Sequence, residues 1–147
     1  MGTILRRILL VEDNPRDVEL TLEALAQHNL ANEVVIAEDG VEALDYLYRR
    51  GPYAERDLMQ PAVVLLDIKM PRLNGIEVLR ELRSSNEFRT MPIVMLTSSR
   101  EERDIIDSYH LGINAYVVKP VVFHEFIDAV KTLGLFWAVI NEPLPVQ

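Results

Sequence analysis

The chain has 147 residues, roughly half apolar and a quarter charged, which suits one soluble domain with its own core. It has no cysteine, which excludes disulfides, iron–sulfur clusters and thiol catalysis and fits a reducing compartment. The formal net charge is −8 and the Arg residues lie in small groups such as Arg6–Arg7 and Arg49–Arg50, so direct nucleic-acid binding is not expected.

Two Arg precede a short apolar run at the N-terminus, but that run meets acid at Glu12, too early for a signal peptide. No stretch approaches the ~20 apolar residues of a membrane span. The expectation is a soluble, cytoplasmic protein that does not engage a membrane.

Five strand-like runs alternate with five helical patterns. Ile8–Val11 is the first run, and Asn14 and Pro15 then mark a helix start, with Val18, Leu22 and Leu25 at helical spacing up to about His28. Val34–Ala37 reads as the second strand. Asp39–Gly40 reads as a turn, and Val41, Leu44, Leu47 and Tyr48 line a second helix. Residues 51–61 are polar, hold two Pro and read as a loop. Ala62–Leu66 is the third strand, and Gly75 precedes a helix carrying Ile76, Leu79 and Leu82. Ile93–Leu96 is the fourth strand, followed by a helix with Ile105, Ile106 and Tyr109. Ala115–Val118 is the fifth, and Phe123, Phe126, Ile127 and Val130 form the last clear helical stripe.

This alternation predicts a parallel sheet with helices on both faces, and five repeats match the doubly wound, flavodoxin-like α/β class. Ligands bind such sheets beyond the carboxyl ends of the strands. There the sequence places Glu12-Asp13 after the first strand, Asp67 after the third, Thr97-Ser98-Ser99 after the fourth and Lys119-Pro120 after the fifth. Asp67 closes the apolar run AVVLL, where an ionised carboxylate is costly unless paired. Three carboxylates at one edge stay ionised only with cations among them, which Lys119 and a hard divalent ion such as Mg²⁺ can supply. A carboxylate so placed can act as nucleophile toward a phosphoryl group. The metal and ammonium would neutralise its charge, and a hydroxyl such as Thr97 could bind its oxygens. Each piece also has a plain structural role: paired acids on a loop, Asp67 as a turn or helix cap, a Thr97–Ser99 hydroxyl as a helix cap, Lys119 at the surface. Four strand ends that converge on one consistent site favour the chemical reading.

The segments LLVEDN (Leu9–Asn14), LLDIKMPRLNG (Leu65–Gly75), MLTSS (Met95–Ser99) and YVVKP (Tyr116–Pro120), in this order and spacing, resemble the receiver domain of two-component response regulators. The resemblance implies Asp67 as phosphoacceptor. It implies Mg²⁺ on Asp13, Asp67 and the Lys69 backbone carbonyl with help from Glu12, and Lys119 paired with the phosphoryl group. It also implies that Thr97 moves to bond that group while Tyr116 turns inward, and that the bond before Pro120 is cis. Glu12-Asp13 stands where receivers often carry Asp-Asp. A sensor histidine kinase is the implied partner, and the protein would be a phosphoacceptor signalling protein rather than an enzyme.

DGVEALDYLYRRGPYAERD (Asp39–Asp57) and LFWAVINEPLP (Leu135–Pro145) further resemble small stand-alone regulators paired with bacterial phytochrome kinases. On this reading residues 4–133 form the receiver and 134–147 an apolar extension too short for an output domain. Output would then pass through the receiver surface to a protein partner or by onward phosphotransfer. Leu135, Phe136, Trp137, Val139 and Ile140 either fold back on their own core or help form a homodimer, as exposed apolar patches often mark interfaces. Lys69 and Ser99 lie beside the site and could tune the phosphoryl lifetime.

Three rivals exist. A haloacid-dehalogenase-type phosphatase would need a second Asp two residues past Asp67, where this chain has Lys69. A nucleotide or flavin binder would need a Gly-rich phosphate loop, and six Gly in all leave little room for one. A receiver that binds partners without being phosphorylated would not need the full set of acids, Thr and Lys.

Overall fold

A computed structural model describes residues 7–26, 33–113 and 115–134. Five strands, β1 (Ile8–Val11), β2 (Val34–Ala37), β3 (Val63–Asp67), β4 (Ile93–Thr97) and β5 (Tyr116–Val118), form one parallel sheet in the order β2-β1-β3-β4-β5. The helices are α1 (Pro15–Ala26), α2 (Gly40–Tyr48), α3 (Gly75–Ser84), α4 (Arg100–Ser108) and α5 (Phe123–Thr132). The expected doubly wound flavodoxin-like fold is the one observed.

Strand residues alternate between two apolar layers. Leu9, Val11, Val64, Leu66 and Met95 face α2, α3 and Ile106 of α4. Ile8, Leu10, Val63, Leu65, Val94, Leu96 and Val117 face α1 and α5 through Leu25, Phe126, Ile127 and Val130. Because both faces are covered, the central strands read as unbroken apolar runs rather than alternating ones.

Two strands extend further than their apolar runs. β3 begins at Val63 and takes in Asp67, and β4 takes in Thr97, while β5 begins at Tyr116. Backbone pairing does not depend on side-chain polarity, so the ladder continues through Asp67↔Leu96 and Thr97↔Val118. Asp39 is a helix cap rather than half of a free turn, with Oδ1 accepting from the Glu42 N–H at 2.8 Å. Asn74, not Gly75, precedes α3, and it makes a complete capping box with Glu77. Gly75 is the first helical residue, and it has no room for a side chain: a Cβ there would lie 2.1 Å from the Asp67 carbonyl oxygen.

The 51–61 segment is a loop with a 3-10 turn at Gly51–Tyr53. It is pinned by Arg7, whose buried guanidinium meets Asp57 at 2.6 and 2.9 Å, Glu33 at 2.9 Å and the Met59 carbonyl at 2.9 Å. Among the described residues no helix is long and apolar enough to cross a membrane. The end of the first predicted helix near His28 and the apolar extension from Leu135 onward lie outside the described residues.

Candidate functional site

The parallel sheet brings one chain end after another to the same edge. Glu12 follows β1 and keeps the ladder going, its N–H donating to the Ala37 carbonyl at 2.9 Å. Asp67 ends β3, Thr97 ends β4, and Lys119 follows β5 with its N–H donated to the Thr97 carbonyl at 2.8 Å. The Lys119–Pro120 bond is cis.

The Lys119 ammonium is the centre of the cluster. Its Nζ lies 3.1 Å from Asp67 Oδ1, 3.3 Å from Glu12 Oε1 and 3.1 Å from Asp17 Oδ2. Burial would lower the pKa of this ammonium, but Asp67, Asp17 and Glu12 together hold it above its ordinary range. Glu12 is pushed up to about 7, first by burial and then by the neighbouring Asp67. One carboxylate oxygen from each of Glu12, Asp13 and Asp67 lies within 4.8 Å of the other two, with Glu12 and Asp67 buried and Asp13 exposed. One ammonium among four acids leaves a surplus of negative charge. An all-oxygen donor set open on the Asp13 side fits a hard divalent cation that keeps waters and phosphate oxygens.

Thr97 is buried beside this cluster. Tyr116, at the start of β5, is half-buried and outside it. The Tyr116 hydroxyl donates to Asp107 and, at 3.2 Å, to the Ile113 carbonyl, and the Arg103 guanidinium sits 4.4 Å from its ring centroid. Burial and the bond to Asp107 raise the Tyr116 phenol well above its usual range. The Lys69 side chain is exposed, with Nζ 3.5 Å from Glu102 Oε2. Of the three hydroxyls after β4, Ser99 caps α4, with Oγ accepting from the Glu102 N–H at 3.3 Å.

Two acids in this region were missed by sequence reasoning. Asp17 sits in the first turn of α1, four residues past Asp13, and helical spacing could have placed it on the same end. Glu102 stands three residues after Ser99, a capping pattern that marks a helix start, yet its contact with Lys69 joins the first turn of α4 to the loop after β3, distant in sequence.

The model of the response regulator receiver domain matches residues 8–131. Response regulator Rcp1 of Synechocystis sp. is 35% identical over 130 residues, 88% of this chain and 87% of Rcp1. The structure of the bacteriophytochrome response regulator AtBRR superposes with a TM-score of 0.89 at 59% identity, covering 95% of this chain and 100% of AtBRR. The phosphorylated cyanobacterial phytochrome response regulator RcpA gives 0.73 at 38% identity over 97% of this chain and 100% of RcpA. The Mn²⁺-bound form of Rcp1 gives 0.71 at 33% identity over 96% of this chain and 99% of that one.

Proposed function

The chain belongs to the response regulator receiver family, and on that premise we propose that it accepts a phosphoryl group on Asp67 from a sensor histidine kinase and converts the added charge into a change of surface. The observation that carries this reading is the Asp67 carboxylate at the end of a buried strand, 3.1 Å from the Lys119 ammonium and within reach of Glu12 and Asp13.

In the proposed step an Asp67 oxygen attacks phosphorus. The bond from phosphorus to the donor breaks, and its electron pair leaves with the donor's imidazole. Lys119 would offset the charge of the transferring group, and the Thr97 hydroxyl, at the end of the adjacent strand, would bond a phosphoryl oxygen once formed. Glu12, Asp13, Asp67 and the Lys69 carbonyl would hold Mg²⁺, which when bound supplies positive charge to the phosphoryl oxygens. The Mn²⁺-bound Rcp1 relative and the oxygen donor set support a divalent ion at this place.

The added phosphoryl group brings charge and strong acceptor oxygens to Asp67. Thr97 and Tyr116 are the residues through which it would bias the α4–β5 surface, Tyr116 leaving Asp107 to turn inward. The likeness to AtBRR and RcpA supports a phytochrome-type kinase as donor. A homodimer built from α5 and the residues after it is supported by the exposure of Val118 and Val122 beside α5. The location proposed is the cytoplasm, where ATP-dependent kinases act.

Incubation with acetyl phosphate and Mg²⁺ followed by intact-mass measurement tests the phosphoacceptor. One phosphoryl group should add, and neither Asp67→Asn nor chelated protein should gain it. Addition to Asp67→Asn would reject the assignment. Sedimentation of the intact chain and of a chain cut after Leu133 tests the dimer, and a monomer at micromolar concentration in the intact chain would reject that part.

A further inference from the structure

Glu102 is a buried acid that the proposed chemistry does not use. It sits in the first turn of α4, three residues after the capping Ser99, where a capping-box acid returns to the backbone N–H of the cap residue. Its counterpart in α3 does so: Glu77 Oε1 accepts from the Asn74 N–H at 3.0 Å. Glu102 instead reaches past the cap, and Oε1 accepts from the Ser98 N–H at 2.8 Å. Its other oxygen, Oε2, lies 3.5 Å from Lys69 Nζ. Burial opposes ionisation of Glu102, but the Ser98 N–H and Lys69 outweigh it and hold the pKa below the usual carboxylate value.

Both partners flank the same atom group. Ser98 follows Thr97 at the end of β4, and Lys69 stands two residues after Asp67 at the end of the adjacent β3. We infer that Glu102 is a positioning residue for the reaction at Asp67: it ties the loops after β3 and β4 in the resting arrangement and so slows phosphorylation. This rests on the reading of Asp67 as phosphoacceptor. A phosphoryl group on Asp67 needs donors and positive charge. Glu102 keeps one N–H and one ammonium engaged elsewhere until the loops rearrange, and the rearrangement pulls on the first turn of α4.

The test compares acetyl-phosphate phosphorylation rates at saturating Mg²⁺ for the native chain and for Glu102→Ala, Glu102→Asp, Glu102→Gln and Lys69→Met, with thermal unfolding of each. Glu102→Asp keeps the charge but is one methylene too short to span both partners. Glu102→Gln keeps the Ser98 bond and loses the ion pair. The expected result is a rise of about threefold or more in Glu102→Ala and Glu102→Asp, the low end of one hydrogen bond's net weight. Glu102→Gln and Lys69→Met should show smaller rises, with no further gain when the two are combined. A lowered melting temperature with unchanged rates in all variants would make Glu102 a structural cap only and overturn the inference. Equal rates in Glu102→Asp and the native chain, with faster Glu102→Ala and Glu102→Gln, would reduce the effect to local charge and overturn it as well. A native chain that takes no phosphoryl group from acetyl phosphate or from a phosphorylated histidine kinase would instead refute the phosphoacceptor reading, and the inference would fall with it.

Discussion

Helices α3 and α4 flank the same sheet face but are held in different ways. α3 buries Val78, Leu79 and Leu82 against the strands and is closed at its start by a complete capping box. α4 buries one apolar side chain, Ile106, and leaves Ile105 and Tyr109 about half exposed at 51% and 46%. Its other ties are polar: the Ser99 cap, Glu102 on Ser98 and Lys69, and Arg103 and Asp107 on Tyr116. Apolar burial does not respond to a new charge on Asp67, whereas the ties of α4 other than Ile106 are electrostatic, and two of them end on loops beside Asp67. On the function proposed above, α4 is the helix that a charge on Asp67 would move, because apolar contact is largely withheld from it.

The largest expected effect breaks the strong side of this contrast. Leu79→Ala should destabilise the chain by about 2–5 kcal/mol in denaturant unfolding, because a fully buried side chain leaves a cavity. Next comes the acid cluster at the strand ends. Glu12 is raised in the folded chain from its ordinary value of 4.5 to about 7, so the folded state binds the extra proton between these values. Stability of metal-free protein should therefore fall as pH rises through that window, by about 1.4 kcal/mol per pH unit at most. Melting temperatures of chelated protein at pH 5 and pH 8 should show the fall in the native chain and in Leu79→Ala, and show much less of it in Glu12→Gln. Divalent-cation affinity should rise with pH over the same range, since the ion displaces that proton.

Tyr116→Phe removes the bond to Asp107 and should cost about 1 kcal/mol or less, while loosening α4 in hydrogen exchange and leaving α3 protected. Ile105→Ala should change stability by less than about 0.5 kcal/mol. If Ile105→Ala costs as much as Leu79→Ala, or if α3 and α4 exchange alike, the contrast between the helices is wrong.

Much of the fold was legible because buried parallel strands carry unbroken apolar runs, and β1 and β2 fall on the residues those runs predict. The acids, Thr97 and Lys119 were legible as polar residues terminating such runs. The ends of β3 and β4 were less so, since pairing carries the ladder one residue past the apolar signal. The helical stripe Ile105, Ile106 and Tyr109 did not reveal that Ile106 alone of the three would be buried. Periodicity marks a face of a helix and not how closely that face meets the sheet.

The sequence by itself determined the alternation of strands and helices, the edge at which Glu12, Asp13, Asp67, Thr97 and Lys119 gather, and the family these residues resemble. Those follow from local patterns of a few residues each. Only the tertiary structure decided that Lys119 also meets Asp17, 102 residues away, that Glu102 spans Ser98 and Lys69, and that Arg7 pins the 51–61 loop through Asp57. Charged side chains find partners by distance in space, and at such separations in the chain that distance is set by how the sheet and helices pack.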